Sequence, residues 1–303
     1  MKKKGCKEAE GGYMQSYTNV PRRDVNLGLG GGRLIQIAGR TPIQMMSYMI
    51  ETPGGGLIMI DGGNYQEPEA MNLYEMIRER GSRVDLWFIT HAHIDHFGAV
   101  SYLMDKLSPF DIEIGAFVFN FPTAEWLARK RDSEGAKRFL EGVKRQGIRV
   151  ITPEVGDIIE CGGLTVQILH TPREYEGYSS MNPTSIIFKL HFPERDVLIL
   201  GDFDREGEEE YLSLGDRGAL RCEIVQMAHH GQDGISKEFY SLIMPKICLY
   251  PTPLWLWENN KYACDDPETR GTGPFQTLDT RAWMEELGVE ASYRQFDGDL
   301  YFS

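Results

Sequence analysis

The sequence has no uninterrupted apolar run long enough to cross a membrane. Its first six residues are basic, but no apolar segment follows them, so they do not form a secretory signal. From these two absences we expect a cytoplasmic protein without a membrane contact.

The chain also lacks a surplus of positive charge. It has 32 lysines and arginines against 45 aspartates and glutamates, which gives a formal net charge of −13. A broad basic face that grips a nucleic-acid backbone is therefore not expected. A nuclease is not excluded, because bound metal ions can supply positive charge locally.

Cysteine is scarce. The chain has five cysteines, an odd number, and no two of them have a C-x-x-C spacing. We therefore expect neither a disulfide framework nor a zinc knuckle. Cys161, Cys222 and Cys248 lie in or beside apolar runs typical of strands, which favours buried thiols over a catalytic cysteine.

The glycine-rich stretch at residues 28–32 lacks both the Gly-Lys-Ser/Thr continuation and the preceding strand of a phosphate-binding loop. Residues 1–32 are charged, polar and rich in glycine, and we interpret them as a flexible N-terminal extension. From residue 33 onward, strand and helix patterns alternate. This favours one α/β domain over residues 33–303, built from two similar halves.

Apolar periodicity and turn signals predict the elements of this domain. Strands are expected at residues 33–38, 45–51, 57–61, 84–89, 112–120, 148–152, 157–160, 164–169, 184–192, 196–200, 224–228 and 246–250. Helices are expected at residues 68–80, 99–104, 125–146, 238–243 and 280–287. A closing hairpin is expected at residues 291–302, with its turn at Asp297 and Gly298.

One loop, between the strand at residues 84–89 and the next helix, carries four side chains of the types that bind metals: His91, His93, Asp95 and His96. Alternate residues of an extended segment point the same way. His91, His93 and Asp95 are therefore expected to converge, and His96 to reach a second point nearby. Neutral imidazole suits zinc, iron or manganese, and a carboxylate helps to hold a second divalent ion.

This H-x-H-x-D-H pattern resembles the signature of the metallo-β-lactamase fold, and the resemblance covers most of the chain from about residue 32 onward. It implies an α/β fold, a four-layer αββα sandwich, with a one- or two-metal hydrolytic site at one edge. It also implies that Asp61, at the end of a predicted strand, orients a metal-binding histidine. Asp202 would bridge two metals at the end of its own strand, and His230 would be the last metal ligand.

The loop that precedes the strand of Asp202 departs from the family pattern. Many members have Gly-His-Thr there, and in this sequence Asn182 falls in the position of the histidine, while His170 lies shortly before the loop. The resemblance therefore implies a first metal held by His91, His93 and Asp202, completed by Asn182 or His170. The second metal would be held by Asp95, His96, Asp202 and His230.

Asn182 and Ser185 before a strand, Gly201-Asp202 after it, and His229-His230-Gly231 further on resemble the soluble hydrolase domain of ComEC-type DNA-uptake channels. The His-His-Gly-Ser of that family continues here as Gln232-Asp233 after the glycine, and a later Asn-x-Tyr-Gly-His-Pro pattern lacks its histidine. DNA transport is not expected, since the sequence has no channel helices.

The resemblance implies a metal-dependent hydrolase in which a metal-bound hydroxide attacks the substrate, Asp95 orients the hydroxide and His229 or a water protonates the leaving group. Two divalent ions are expected, with zinc preferred and manganese or iron as alternatives. The ComEC-like motifs favour a phosphodiesterase or nuclease-like activity on a small-molecule, nucleotide or nucleic-acid phosphoester. The alternatives are a lactone, thioester or lactam hydrolase on the same fold, or a catalytically inactive metal-binding interaction protein.

The long irregular segment at residues 251–275 and Ser185 are candidates for a substrate loop. Trp255 and Trp257 in this segment either contact the substrate or pack the segment against its own domain or a partner subunit.

Overall fold

The computed structural model describes residues 17–173, 175–264 and 266–303. These residues form fifteen β-strands and eight α-helices. The strands are β1 Arg22–Val25, β2 Arg33–Gln36, β3 Ser47–Glu51, β4 Leu57–Asp61, β5 Arg83–Phe88, β6 Glu113–Val118, β7 Val150–Ile151, β8 Ile158–Cys161, β9 Leu164–His170, β10 Ile187–His191, β11 Asp196–Ile199, β12 Ile224–Gln226, β13 Ile247–Tyr250, β14 Ala291–Arg294 and β15 Asp299–Phe302. The helices are α1 Glu67–Arg78, α2 Ile94–Lys106, α3 Ala124–Leu127, α4 Ser133–Gln146, α5 Arg205–Leu214, α6 Lys237–Ile243, α7 Leu254–Trp257 and α8 Thr277–Glu286. Among the described residues, none of these helices is both long and apolar enough to cross a membrane.

The strands form two mixed sheets. The order in the eight-stranded sheet is β1-β15-β2-β3-β4-β5-β6-β7, and the order in the seven-stranded sheet is β14-β13-β12-β11-β10-β9-β8. Within the first sheet β4 to β7 are parallel to one another, and within the second sheet β11 to β14 are parallel. In each parallel set, the carboxyl ends of the strands therefore lie at one edge.

The central strands are buried on both faces, which explains their nearly continuous apolar sequences. In β3, Tyr48 and Ile50 belong to the core between the two sheets, whereas Met49 belongs to the core beneath the helices. In β4, Ile60 likewise belongs to the core between the sheets and Met59 to the core beneath the helices. Side chains of a strand alternate between faces, so a strand covered on both sides must be apolar at every position.

Helices cover the outer face of each sheet. Buried residues of α1, α2 and α4 share one core with the eight-stranded sheet, and those of α5, α6 and α8 share another with the seven-stranded sheet. In α4 the residues Ala136, Phe139 and Val143 form the buried stripe, with the spacing of one helix face. The layers therefore run helix, sheet, sheet, helix, and the predicted αββα sandwich is confirmed.

Two predicted elements are wrong. The helix expected at residues 125–146 is interrupted between α3 and α4, and Asp132 there has a left-handed backbone with φ of 68°. The hairpin expected at residues 291–302 does not form. β14 pairs with β13 in one sheet, while β15 lies between β1 and β2 in the other. A 3₁₀ turn at Gln295–Asp297, held by ion pairs between Arg294 and Asp297, redirects the chain between the two sheets.

The extension predicted for residues 1–32 also needs correction. Residues 1–16 lie outside the described residues, but β1 pairs in parallel with β15. Leu27 and Leu29 are buried in the core between the sheets. The ordered domain therefore includes residues before 33, because their apolar side chains find a place between the sheets.

The thiols agree in part with expectation. Cys161, Cys222 and Cys248 are free, and the last two are buried. Cys264 is disulfide-bonded, which the odd number of cysteines did not predict.

Candidate metal centre

The candidate ligands lie where four strands end. β4 ends at Asp61, β5 leads to the histidine loop, β11 leads to Asp202, and β12 leads to His229 and His230. Parallel pairing of β4 with β5 and of β11 with β12 brings the carboxyl ends together within each sheet. A backbone hydrogen bond of 2.9 Å from the Ile186 amide to the Thr90 carbonyl then ties the two sheets together at this edge.

Two groups of side chains meet there and share one carboxylate. The first group is His91, His93 and Asp202, and the second group is Asp95, His96, Asp202 and His230. Within each group the ligand atoms lie within 4.8 Å of one another. Asp202 Oδ2 lies 3.2 Å from His96 Nε2, 3.4 Å from His230 Nε2 and 3.9 Å from His91 Nε2. This arrangement is consistent with a binuclear metal site.

The buried polar atoms at this point support a cation site independently. Among the described residues, His96 Nε2, His230 Nε2 and Asp202 Oδ1 are buried and have no hydrogen-bond partner. Buried polar atoms normally have partners, so three such atoms around one point indicate a site for a cation. Imidazole nitrogen and carboxylate oxygen are a donor set that divalent zinc, manganese or iron accepts. The residues present therefore fit divalent ions.

Asp95 does not lie where the extended-segment argument placed it. His93 has an extended backbone, with φ of −92° and ψ of 147°, and α2 begins at the next residue. Asp95 and His96 therefore occupy the first turn of a helix, and both belong to the second group. The prediction that Asp95 converges with His91 and His93 is wrong because strand alternation stops where the helix starts.

Asp61 holds the His96 ring in place. Its Oδ2 lies 2.7 Å from His96 Nδ1, and its carboxylate accepts hydrogen bonds of 2.8 and 2.9 Å from the amide and hydroxyl of Thr90. Burial raises the pKa of Asp61, and the bonds from His96 and Thr90 oppose that rise. With Nδ1 engaged, the His96 ring presents Nε2 to Asp202.

The charge balance differs between the two groups. Burial lowers the pKa of His91 and of His93, which favours the neutral rings that bind metals. Burial also opposes a charge on His96 and His230. Nevertheless, Asp202 and the other nearby carboxylates raise the pKa of His96 well above its usual value and that of His230 to about 9. The carboxylates around the second group therefore require a positive charge nearby.

The backbone at the end of β12 is strained. His229 and His230 have φ values of 46° and 56°, in the left-handed region that costs a non-glycine residue about 1–2 kcal/mol. Buried Gln226 braces this turn against the Asp202 loop, because its Oε1 accepts from the Gly201 amide at 2.8 Å and its Nε2 donates to the Gly201 carbonyl at 3.0 Å. His230 Nδ1 lies 2.7 Å from the Pro251 carbonyl, which leaves Nε2 facing Asp202.

Gly201 must be glycine for Asp202 to approach the histidine loop. Its φ is 58°, and a Cβ atom there would lie 2.8 Å from the Cβ of Thr90. Ser185 holds the backbone of Asp202, because its hydroxyl accepts a 3.1 Å hydrogen bond from the Asp202 amide. Ser185 is completely buried, so it acts under the site and not as a substrate-loop residue.

The two candidates for completing the first group are placed differently. Asn182 Nδ2 lies 3.3 Å from His229 Nε2, and among the described residues Asn182 Oδ1 is buried without a hydrogen-bond partner. His170 instead directs Nδ1 to the Ser185 carbonyl at 3.2 Å and Nε2 toward Glu210 at 3.7 Å. In the part of the chain that the structure describes, His170 Nε2 is buried without a hydrogen-bond partner as well, but it faces Glu210. Asn182 instead contacts His229 beside the candidate ligand His230, and this contact favours Asn182.

The tryptophans of residues 251–275 pack on their own domain. Trp255 Nε1 donates a 2.8 Å hydrogen bond to the Pro42 carbonyl, and its ring contacts Phe275. The Trp257 ring packs edge-on against Tyr250 and lies under the Arg281 guanidinium. Of the two interpretations of this segment, substrate contact and packing, the structure favours packing against its own domain.

A cavity of about 510 Å³ opens beside the candidate metal site. It is lined by Gln44, His93, Asp95, Lys130, Arg131, Asp132, Ser179, Ser180, Met181, Asp202 and His229. Its size falls in the range of small-molecule sites.

Sequence reasoning missed Gln44. Its Nε2 donates to Asp95 Oδ2 at 3.4 Å, and its Oε1 accepts from Gln232 Nε2 at 3.1 Å. Gln44 therefore links Asp95 to the loop that carries His229 and His230. Nothing in the sequence around Gln44 marks it, because it lies in a turn between two strands and belongs to no recognisable motif.

Comparison with known proteins agrees with this architecture. The model of the metallo-beta-lactamase superfamily matches residues 40–287. The metallo-beta-lactamase fold protein YhfI from Bacillus subtilis is 8% identical, with 88% of this chain and 98% of that chain covered and a TM-score of 0.50. A mutant of CmlA beta-hydroxylase is 12% identical, with 87% of this chain and 52% of that chain covered and a TM-score of 0.51.

A diphosphatase from the PhnP family is 16% identical, with 86% of this chain and 85% of that chain covered and a TM-score of 0.41. No curated protein matches the chain. The family match spans well over half of the sequence, including every candidate ligand. The chain therefore belongs to the metallo-β-lactamase superfamily.

Proposed function

We propose that the protein is a two-metal hydrolase that cleaves phosphoester bonds, phosphodiesters in particular. The observation that carries the proposal is the place of Asp202. It is shared by both ligand groups and also lines a cavity that Lys130 and Arg131 line. The candidate metal site thus adjoins a cavity wall that carries two cationic side chains. The Gly201-Asp202 and His229-His230-Gly231 patterns support a ComEC-like subtype within the family.

In this proposal the ligands divide as the two groups suggest. His91, His93 and Asp202 hold the first ion, and the free amide oxygen of Asn182 completes its protein ligands. Asp95, His96, Asp202 and His230 hold the second ion. Zinc suits this donor set, and manganese or iron are the alternatives.

Divalent ions bound at these sites would polarise the phosphoryl group and lower the pKa of a water molecule. The chain itself positions the participants. Asp95 has one oxygen 3.4 Å from His230 Nε2, and its carboxylate also lines the cavity, so it can orient the attacking water. His229 is fixed by its Nδ1, which lies 2.6 Å from the Asp233 carbonyl. Its Nε2, which lies 3.3 Å from Asn182 Nδ2, is thereby directed toward the cavity side, where it can take up a proton from water and pass it to the leaving group.

Lys130 and Arg131, together with two bound divalent ions, would favour an anionic substrate over a neutral lactone, lactam or thioester. Lys130 and Arg131 add two positive charges to a lining whose acids are Asp95, Asp132 and Asp202. Two bound divalent ions would make the net charge of that lining positive. The net charge of −13 nevertheless disfavours long polyanions at a distance, so we place small phosphodiesters ahead of nucleic acid.

Turnover by metal-loaded protein tests the proposal. Bis-p-nitrophenyl phosphate, a single-stranded oligonucleotide, a lactone and a thioester are compared, with Asp202→Asn as the control that loses bound metal and turnover together. Hydrolysis of the phosphodiester alone supports the proposal. Hydrolysis restricted to the lactone or thioester would replace it with a carbonyl hydrolase. Fewer than one ion per chain, with no turnover after reconstitution, would indicate a binding protein instead.

A further inference from the structure

Two short segments, residues 130–132 and 179–181, line the cavity in addition to the candidate metal ligands. The first of these is the interruption between α3 and α4 that the sequence pattern did not predict. In a continuous helix, neighbouring residues project about 100° apart, so three consecutive side chains could not face one cavity. The left-handed backbone of Asp132 breaks the helix there, and Lys130, Arg131 and Asp132 all line the cavity.

The two cations of this segment have different environments. Lys130 Nζ donates a hydrogen bond to the Tyr178 carbonyl and lies 4.3 Å from the centre of the Trp126 ring. Lys130 is therefore engaged in holding the neighbouring segment. Arg131 is exposed, and within the described part of the chain its guanidinium has no hydrogen-bond or ion-pair partner.

Other arginines near this loop are paired. Arg129, two residues earlier, forms an ion pair of 2.6 Å with Glu176, and it does not line the cavity. Arg145, on α4, pairs with Asp105 at 2.8 Å. An unpaired guanidinium on the lining of a cavity is a ready partner for an anion, because its planar fork of donors matches two oxygens of a phosphate or carboxylate.

We propose that Arg131 is a specificity-determining residue that binds a second anionic group of the substrate, of the phosphate type, at a distance from the scissile phosphoester. This rests on the proposed function and narrows it. The preferred substrate is a small phosphodiester that carries an additional phosphate, and one guanidinium provides for a single such group. Asp132 on the same segment disfavours further negative charge.

Binding of two nucleotides that differ by one phosphate tests this directly. Thymidine 5′-monophosphate and thymidine 3′,5′-bisphosphate are titrated calorimetrically into metal-loaded wild type, Arg131→Gln and Arg129→Gln. For wild type and Arg129→Gln we expect about tenfold tighter binding of the bisphosphate, as one charge-assisted bidentate contact would give. For Arg131→Gln the difference between the two ligands should disappear, with metal content unchanged.

The p-nitrophenyl esters of the same two nucleotides separate this proposal from the proposed function. Turnover of both esters with equal KM in wild type would overturn the role of Arg131 and leave the phosphodiesterase intact. Absence of turnover, together with tighter binding of the bisphosphate that depends on Arg131, would keep the anion site and reject the reaction. Equal affinities of wild type for the two nucleotides would overturn the anion site regardless of turnover.

Discussion

Asp61 Oδ2 lies 2.7 Å from His96 Nδ1, and both side chains are fully buried at the end of β4 and the start of α2. The Asp61 backbone is left-handed, with φ of 55°, and its carboxylate also accepts two hydrogen bonds from Thr90. Carboxylates that bind the outer nitrogen of a ligating imidazole fix the ring and strengthen it as a ligand. Asp61 is therefore a positioning residue for the second ligand group.

Asp61→Asn should weaken metal binding at that group. The amide retains the size of the carboxylate but places an N–H₂ group among donors from His96 and Thr90, so the ring loses its anchor. We expect affinity for the second ion to fall by about 10–100-fold. Metal titration followed by elemental analysis measures the change. Unchanged affinity for both ions would show that His96 is held by packing alone.

Gln44 leads to a second prediction, on Asp95. Replacing Gln44 by leucine removes the hydrogen bonds to Asp95 and from Gln232, and a net hydrogen bond to a charged group contributes about 1.5–3 kcal/mol. The 3.4 Å contact is long, so we place the effect at the lower end, about a tenfold loss in affinity for the second ion.

Ile43→Ala is the matched control for Gln44→Leu, because Ile43 is the exposed neighbour in the same turn. Both variants are titrated with the same metal, and thermal unfolding confirms that each is folded. If both variants bind the second ion as wild type does, Asp95 is held without help from Gln44.

The clusters of ligands could be predicted because each follows an apolar strand and consists of residue types that bind metals. The histidine loop, Gly201-Asp202 and His229-His230 all obey this rule, and parallel pairing brings them to one edge. The position of Asp95 could not be predicted from alternation, since one residue decides where the strand geometry ends and α2 begins.

The features that were predicted wrongly or missed depend on contacts between residues distant in sequence. β15 joins β1 and β2, more than 260 residues earlier in the chain, although its own sequence resembles half of a hairpin. The interruption before α4 depends on a left-handed Asp132, a conformation that the surrounding helix-forming residues do not indicate. Gln44 reaches Asp95 only after the sheets assemble. Local pattern therefore predicts the ligands, whereas tertiary contacts place the residues that surround them.

The incomplete first group gives a third prediction. His91, His93 and Asp202 offer one fewer titratable ligand than the second group, so the two ions should bind with different affinities. Asn182→His adds an imidazole beside His229 and should raise the affinity of the weaker ion by about tenfold or more. Asn182→Ala removes the amide oxygen and should lower it.

His170→Gln is the comparison that decides between the two candidates for that position. Its imidazole is directed to Ser185 and Glu210, so metal content and both affinities should match those of wild type. Competition with a coloured chelator measures all three variants. Loss of the first ion in His170→Gln, with Asn182→Ala unaffected, would reverse the assignment.

Glu210 supports the fourth prediction, which concerns acid stability. Its carboxylate lies between His170, Tyr178 and the Arg173 amide, and so fixes the segment that leads to Ser179 and Ser180 on the cavity wall. The nearby His170 imidazole, ahead of the hydrogen bond from Tyr178, lowers the pKa of Glu210 to about 2. A lowered pKa in the folded state means that the ionised carboxylate stabilises the fold.

That contribution is complete above the unfolded pKa of 4.5 and is lost as the pH falls through about 2. Glu210→Gln removes it at every pH. The free energy of urea unfolding of wild type should therefore exceed that of Glu210→Gln near neutral pH, and the difference should shrink as the pH falls below 4.5. Glu209→Gln, an exposed position on the same helix, should show neither effect. A difference that stays constant with pH would mean that the Glu210 side chain supports the segment through its shape and not through its charge.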